Sequence, residues 1–511
     1  MPDTRQTLLL DAPLTPQQVW DIAQNTVKLD LSSAARLRIR RANTSLRQLI
    51  EGDTPIYGLN TGVGGLSEQR ISAAQQAELS KKILFSHAVG VGRPLDAAQT
   101  RAIMACAINS YALGYTGVRE DIPDRLLALL NSNSLPIIPS EGSVGYLVHM
   151  AHIALALIGH GTLQTPTGLE PAALILQKLG FAPLQPEAKE GLALVNGLAC
   201  ATGLGCLSAH SLSTTLHWAD RIAAATFDIM GGQSRAFDPR SATLRTMPGG
   251  QHVAARLRAL TQGSAHLAAR QGGRPQDAPS LRAVPHTHGS VPHALEGLEP
   301  TLAPELSSLS DHPSTINLDT QPHAFCHALA VAAPLARIMD ETALAAASLG
   351  AVAERRLDRM VNPLVSPFPA FLPSDSGTGS GFMIAQYTAC ALVGQNRRLA
   401  APASLDGGIT SGLQEDILVH ATPAALKAQS VVDNTRTILA IELLALCQAI
   451  DLAGLYPDLA SKTQVLYTLV RAKVPHYQED HPLADDIATM TQWLGTTQPR
   501  DKGTPSSGTM Q

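Results

Sequence analysis

Long stretches of the chain are apolar on nearly every side, and short turns rich in glycine and proline separate them. The clearest stretch runs from Tyr146 to Ile158 and is broken only by two histidines. A helix that is apolar all round is buried, and this one is too short to span a membrane. Pro139, Gly142 and Gly145 precede it and favour a tight turn. The pattern therefore predicts a strained turn that leads into a core helix.

The same pattern predicts helices through most of the remaining chain. Thr15 before Pro16 indicates a capped helix over 15–23, and a second helix is expected over 32–51. Further helices are predicted within 75–131, 198–270 and 327–361, whereas 271–295 is rich in Pro and Gly and is predicted to be irregular. We expect a mainly α-helical protein built as a long-helix bundle. Its predicted parts are an N-terminal helical cap (1–50), a main helical domain (51–500) and a disordered polar tail (501–511).

Composition narrows the class of protein. Of 511 residues, 16% are charged and 45% are hydrophobic, which favours a compact, largely helical enzyme. The net charge of −4 and the 4% of aromatic residues give no basis for binding nucleic acid or an anionic membrane. The sequence has no run of 18 apolar residues and no N-terminal signal pattern, so a cytoplasmic protein is expected.

Cysteine and histidine spacing gives little support for metal binding. No pair of cysteines forms C-x-x-C, and all six are predicted to be reduced, buried thiols: Cys106, Cys200, Cys206, Cys326, Cys390 and Cys447. His286, His288 and His293 could suggest a zinc site, but no Cys, Asp or Glu lies among them. A loop that shapes a pocket is the preferred interpretation, and no metal is predicted.

Several segments resemble the aromatic amino acid ammonia-lyase superfamily, with histidine ammonia-lyase most similar. They are Y-G-L-N-T-G-V-G-G from Tyr57, K-E-G-L-A-L-V-N-G from Lys189, S-G-F-M-I-A-Q from Ser380, Q-E-D from Gln414 and N-T-R from Asn434. The resemblance covers roughly residues 50–455. It implies a bundle of long helices, and a homotetramer whose active sites combine loops from three subunits.

One catalytic feature of that family is missing. There, Gly-Ser-Val-Gly runs into Ala-Ser-Gly, which cyclises into an electrophilic methylidene-imidazolone group. Here Gly145 is followed by Tyr146, Leu147 and Val148, so no such cofactor is expected. Thr410-Ser411-Gly412 could form the group in principle, but it lies far from the turn that holds the triad in the family. In addition, Pro279 stands where the family has a second catalytic tyrosine.

The missing electrophile suggests a substrate that does not need one. A quaternary ammonium has no lone pair for a covalent adduct, yet it can leave as a neutral tertiary amine. The chain therefore resembles the ergothionase branch of the superfamily, which lacks the group. This implies elimination of trimethylamine from ergothioneine to give thiolurocanate. The alternatives are another aromatic betaine such as trimethylhistidine, or a non-catalytic ligand-binding relative. A third alternative, an ordinary ammonia-lyase with an aberrant cofactor, is disfavoured by the missing residues.

The resemblance also assigns roles to individual residues. Tyr57 would remove the β-proton, and Glu415 would bond the ring N–H of the substrate, although it could instead be a buried ion-pair partner. Arg282 would hold the substrate carboxylate, because a guanidinium binds carboxylates through two parallel hydrogen bonds. The remaining predicted substrate-binding residues are His87, Asn196 and Gln276.

Overall fold

The computed structural model describes residues 4–52, 54–316, 320–375 and 377–498, so the predicted tail at 501–511 lies outside the described residues. Most of the described chain is helical, which confirms the mainly α class. In chain order the α-helices are α1 (Pro16–Ala23), α2 (Ser33–Ile50), α3 (Ala73–His87), α4 (Ala97–Ala112), α5 (Asp121–Asn131), α6 (Val148–Leu157), α7 (Ala172–Lys178), α8 (Glu190–Val195), α9 (Ala199–Ile229), α10 (Pro248–Thr261), α11 (Ala265–Ala268), α12 (Pro279–Arg282), α13 (Val284–His288), α14 (Val291–Ser307), α15 (Ala333–Val361), α16 (Met383–Leu399), α17 (Ala421–Ala453), α18 (Ser461–Arg471) and α19 (Ala484–Thr496).

Short strands and single-turn helices connect these elements. The strands are β1 (Gln6–Leu10), β2 (Val27–Leu31), β3 (Val91–Pro94), β4 (Leu135–Pro136), β5 (Pro139–Glu141), β6 (Thr162–Thr165), β7 (Gly168–Pro171), β8 (Ser314–Ile316) and β9 (His323–Phe325). β1 pairs with β2 in parallel, and antiparallel pairing gives β3-β5, β4-β6-β7 and β8-β9. The 3-10 helices are Gly64–Leu66, Ser234–Phe237, Pro239–Thr243, Ala403–Leu405, Ser411–Leu413 and Tyr456–Asp458.

The N-terminal segment shows how local sequence sets helix boundaries. The Thr15 side chain accepts from the Gln18 amide while the Gln18 side chain accepts from the Thr15 amide, so a reciprocal capping box starts α1. Ser32 caps α2 in a similar way through the Ala35 amide. Both helices predicted for residues 1–50 are thus confirmed. The parallel β1-β2 pair was not predicted.

Three long helices supply much of the core. They are α9 with 31 residues, α15 with 29 and α17 with 33. Apolar residues of α17 between Ile438 and Ile450 are at most 2% exposed. One described stretch, Glu190–Ile229, is long and apolar enough to cross a membrane, but 89% of its apolar window is buried. That burial is typical of a core helix in a soluble protein.

The prediction of an irregular segment over 271–295 is wrong from residue 279 onward. α12, α13 and the start of α14 occupy it. Pro279 and Pro285 lie in the first turns of α12 and α13, where a missing amide hydrogen costs the helix nothing. Within the described residues no group of three or more His, Cys, Asp or Glu side chains is arranged to hold a metal ion. His288 is instead fully buried against Asp220.

The prediction that all six cysteines are buried is wrong for two of them. Cys326 follows β9 and is exposed, and Cys390 lies on an exposed face of α16. The other four cysteines are buried in helices, where burial raises the pKa of each thiol. A thiol held in its protonated form in an apolar core is chemically inert.

The described chain divides into two compact units, each built from three separate segments. The first unit contains described residues of Met1–His210, Gly297–Asp340 and Pro402–Lys427. The second contains described residues of Ser211–Glu296, Glu341–Ala401 and Ala428–Gln511. The division predicted at residue 50 stays a prediction, with 1–50 belonging to the first unit.

Candidate active site

A strained turn precedes α6, as the sequence predicts. The Ser143 hydroxyl accepts from the Gly145 amide at 3.1 Å and donates to the Tyr146 carbonyl at 2.9 Å. Leu147 then takes φ 76° and ψ −68°, and the Val148 amide bonds the Tyr146 carbonyl at 3.1 Å. This γ-turn geometry is rare for a residue with a side chain, and strain of this kind concentrates at functional sites. The turn therefore holds Tyr146 in one fixed direction.

Hydrogen bonds tie this turn to the segment that follows Glu415. The Val144 carbonyl accepts from the His420 amide at 3.0 Å, and the Gly145 carbonyl accepts from the Thr422 hydroxyl at 2.7 Å. Both bonds are formed by main-chain atoms of the turn, so they fix its distance from the neighbouring loop. The turn and the loop that carries Glu415 are one local structure.

Tyr146 and Glu415 interact directly. The Tyr146 hydroxyl lies close enough to the Glu415 carboxylate for its ionisation to depend on that charge. Burial, followed by the negative charge of Glu415, raises the pKa of Tyr146 to about 12. The phenol is therefore protonated at neutral pH. Sequence reasoning assigned no role to Tyr146, because nothing in its neighbours along the chain indicates the position of Glu415.

Tyr57 lies in the glycine-rich loop of the first unit. Its hydroxyl accepts from the Gly64 amide at 2.9 Å, and its ring centroid is 5.5 Å from that of His312. Burial raises the pKa of Tyr57; the Gly64 hydrogen bond opposes the rise and the charge of Glu415 adds to it. At Gly58, φ is 63° and an added Cβ would lie 2.6 Å from the Leu192 side chain. Glycine is thus required for this loop to pack closely against α8.

Glu415 is held in a neighbouring loop. Its carboxylate accepts from the Thr410 hydroxyl at 3.1 Å, and the two residues also exchange backbone hydrogen bonds. In the described part of the chain no Lys or Arg forms an ion pair with Glu415. The alternative role as an ion-pair partner therefore has no support within one chain. The charge of Glu415 instead acts on Tyr57, Tyr146 and two histidines.

The triplet Thr410-Ser411-Gly412 lies closer to the site than predicted. Ser411 packs against the Tyr57 loop, since a Cβ at Gly65 would be 3.1 Å from the Ser411 carbonyl oxygen. Thr410 hydrogen-bonds Glu415, and the segment after Glu415 hydrogen-bonds the central turn, so the triplet is connected to the turn despite their separation along the sequence. Ser411 and Gly412 both have positive φ, which folds the loop tightly around the carboxylate.

His87 lies at the end of α3, where the charge of Glu415 also affects its pKa. Its Nδ1 donates to the Ile83 carbonyl at 2.8 Å. Burial lowers the pKa of His87, and the Ile83 hydrogen bond and the charge of Glu415 oppose that effect. The imidazole is therefore neutral at pH 7, with its Nδ1 proton already used.

Asn196 is fixed by a buried ion pair that sequence reasoning did not find. Its Nδ2 donates to Asp311 at 3.3 Å and contacts His312 at 3.4 Å. Asp311 in turn is paired with Lys189, and both side chains are at most 3% exposed. Lys189 and Asp311 are 122 residues apart along the chain. The sequence alone therefore gave no sign of this contact. Buried charges need such pairing, so the pair anchors Asn196.

The structure brings together some of the predicted site residues and not others. Tyr57, His87, Asn196 and Glu415 all belong to the first unit. Gln276 and Arg282 belong to the second, where Arg282 Nε donates to the Asp277 carbonyl at 3.0 Å and Gln276 lines a separate cavity.

The residues after Gly145 do not fit the backbone-derived electrophile. That group requires the hydroxyl of a serine in the middle of its triplet, and Leu147 occupies this position. The amide that would close the ring belongs to Val148, which already bonds the Tyr146 carbonyl and begins α6. No step of the chemistry below is assigned to such a group.

Known proteins resemble the chain over nearly its whole length. The family model for aromatic amino acid lyases matches residues 14–472. A histidine ammonia-lyase from Deinococcus radiodurans is 40% identical over 487 residues, which cover 94% of this chain and 92% of that protein. The crystal structure of histidine ammonia-lyase from Trypanosoma cruzi superposes with a TM-score of 0.86 at 32% identity, covering 96% of this chain and 93% of that one.

The predicted elimination of trimethylamine from ergothioneine is wrong. Ergothionase from Treponema denticola has a similar structure, with a TM-score of 0.85 and coverage of 96% and 98%, but is only 26% identical. Several curated relatives at 36–40% identity are named histidine ammonia-lyases instead. The sequence motifs and the helical architecture agree with the matching family model. The chain belongs to the aromatic amino acid lyase family.

Proposed function

We propose that the protein is a carbon–nitrogen lyase that removes ammonia from histidine. The observation that carries this proposal is the Glu415 carboxylate, which lies beside two phenols and is left without a cationic partner in the described chain. An imidazole ring N–H is a suitable donor to such a carboxylate. The high identity to proteins named histidine ammonia-lyase supports the same substrate.

Tyr57 is the proposed general base. In its ionised form it takes a proton from the β-carbon and becomes a neutral phenol, the electrons of that C–H bond form the new double bond, and the Cα–N bond breaks. The nitrogen leaves with the bonding electrons as ammonia, and the organic product is the conjugated imidazole acrylate. Glu415 stabilises charge that passes into the imidazole ring as the proton leaves.

We also propose that the reaction uses no prosthetic electrophile. Tyr146 occupies the position after Gly145, and its hydroxyl lies close to Glu415. Without covalent activation, the ammonium must leave directly as ammonia, so electrostatic stabilisation has to supply the whole rate enhancement. We therefore expect slower turnover than in relatives that carry Ala-Ser-Gly.

The substrate carboxylate is assigned to Arg282 together with Asn196, and His87 and Gln276 are assigned to the pocket wall. Arg282 and Gln276 lie in the second unit of the chain. The proposal that these two residues contact the substrate is part of a wider one. In it, the protein is a cytoplasmic homotetramer whose active sites are shared between subunits. Retention of a guanidinium at this position is consistent with a substrate that carries a carboxylate.

The test uses the purified full-length protein with histidine, tyrosine and phenylalanine in parallel. Ammonia release and the ultraviolet absorbance of the conjugated acid are followed together. We expect both signals with histidine alone, and their loss in Tyr57→Phe with the helical circular dichroism signal unchanged. Absence of ammonia from histidine in a folded protein, or unchanged turnover in Tyr57→Phe, would overturn the proposal.

A further inference from the structure

A large polar cavity lies entirely within the second unit. Its volume is about 820 Å³, which is in the range of small-molecule sites. Its walls come from the end of α9, the loop that leads to α12, the segment after α15 and the end of α17. Three arginines line it: Arg270, Arg274 and Arg359.

Among the described residues, one of these arginines has a carboxylate partner. Arg274 pairs with Asp277 at 2.5 Å, and Asp277 is buried and also accepts from the Gln233 amide at 2.6 Å. No other acidic side chain lines the cavity among the described residues. Burial and the charge of Arg270 lower the pKa of His266, so this histidine is neutral at pH 7 and adds no charge. The cavity therefore has a net positive charge.

Of the other two arginines, Arg270 and Arg359, Arg359 has fewer hydrogen-bond partners among the described residues. Its Nε is buried and has no hydrogen-bond partner among the described residues, where no ion pair of Arg359 occurs either. A buried donor without a partner is costly, most of all on a charged group. The structure thus leaves an unmatched guanidinium in the wall of a polar cavity.

Arg270 adds a second charge that is free to bind. Its stem lies across Gly231, where an added Cβ would be 2.2 Å from Arg270 Cδ, so glycine is needed there. The guanidinium makes one long contact, 3.4 Å to the His266 carbonyl. The His266 carbonyl is neutral, so this contact does not neutralise the positive charge of Arg270.

We propose that this cavity binds a small anion with a carboxylate or phosphate group, with Arg359 and Arg270 as its direct contacts. Guanidinium groups bind both kinds of anion through paired, charge-assisted hydrogen bonds. The ligand is either an amino acid that binds here through its carboxylate, apart from the site assigned to Arg282, or a separate metabolite. The proposal does not depend on the reaction assigned to Tyr57.

Calorimetric titration of the full-length protein with inorganic phosphate and with succinate, at constant ionic strength, tests the proposal. We expect saturable binding of at least one anion, weakened about tenfold or more in Arg359→Gln. Arg240→Gln is the matched control, because Arg240 is an exposed arginine of the same unit that does not line the cavity. It should bind like the unaltered protein.

Two further measurements are made. Competition with histidine distinguishes the two sources of the anion, and oligomer size tests whether Arg359 instead pairs with another subunit. Competition between the bound anion and histidine would identify the substrate's own carboxylate, and binding without competition would identify a separate anion; both support the site. Absence of binding, or equal binding by Arg359→Gln, would overturn it. A change in oligomer size in Arg359→Gln, with unchanged anion affinity, would also overturn the proposal. It would show that Arg359 pairs with another subunit.

Discussion

At the scale of single residues, the site is organised around a carboxylate with two phenols. Tyr57 and Glu415 could be predicted because each lies in a segment that resembles the family. Tyr146 could not, since its contact with Glu415 depends on the γ-turn at Leu147 and on the hydrogen bonds of Val144 and Gly145. Long-range contacts of this kind leave no trace in local sequence.

Removing the Tyr146 hydroxyl tests its role in positioning Glu415. In Tyr146→Phe the carboxylate loses a neighbouring hydroxyl dipole, and we expect kcat for histidine to fall about tenfold or more with a smaller change in KM. Tyr387→Phe serves as the control, because Tyr387 is 65% exposed on α16. Equal kcat values for the two variants would show that Tyr146 only fills space.

The pKa of Tyr57 predicts the pH dependence of catalysis. Burial raises this pKa above its ordinary value, so the phenol is mostly protonated at neutral pH. The ionised fraction rises about tenfold per pH unit below the pKa, and kcat/KM should rise with pH from neutral to alkaline conditions. A kcat/KM that falls over this range would exclude Tyr57 as the base.

At the scale of elements, hydrophobic pattern and caps predicted most helices but not the strands. The helix after the central turn was expected from Tyr146, and it begins at Val148 because the γ-turn delays it. The short helices α12 and α13 were missed because proline was interpreted as a loop signal rather than as a first-turn residue. The β1-β2 pair joins segments too short for a clear alternating pattern.

The capping box of α1 gives a stability prediction for this scale. Thr15→Ala removes the side-chain acceptor of the Gln18 amide and should lower the free energy of unfolding by about 1 kcal/mol. Thr44→Ala is the comparison, because the Thr44 hydroxyl only bonds back to the Arg40 carbonyl within α2. Denaturant titration followed by circular dichroism measures both; equal stability of the two variants would contradict the prediction.

At the scale of the whole molecule, composition and the order of motifs predicted the fold, but the reaction was predicted wrongly. The missing Ala-Ser-Gly is a local feature, and it was given more weight than similarity along the whole chain. Identity of 36–40% to histidine ammonia-lyases extends over more than nine-tenths of the sequence. Substrate choice depends on many pocket residues, whereas a missing triplet changes only the means of catalysis.

The buried charges of the second unit predict which ion pairs stabilise the molecule. Arg356 and Glu442 are both fully buried and form two hydrogen bonds, at 2.7 and 2.9 Å. Glu442→Gln leaves the guanidinium unpaired and should lower the free energy of unfolding by about 3–5 kcal/mol. Asp238→Asn breaks an exposed pair with Arg240 and should leave thermal unfolding unchanged. Similar unfolding temperatures for both variants would contradict this ranking.

The central claim is that this chain deaminates histidine without a prosthetic electrophile. The most direct measurement quantifies ammonia released from histidine and trimethylamine released from ergothioneine by the same preparation, whose intact mass is determined. The account predicts ammonia from histidine, no trimethylamine, and the mass of the unmodified sequence. Trimethylamine without ammonia, or a mass lower by the two water molecules that cyclisation of a triplet would remove, would contradict it.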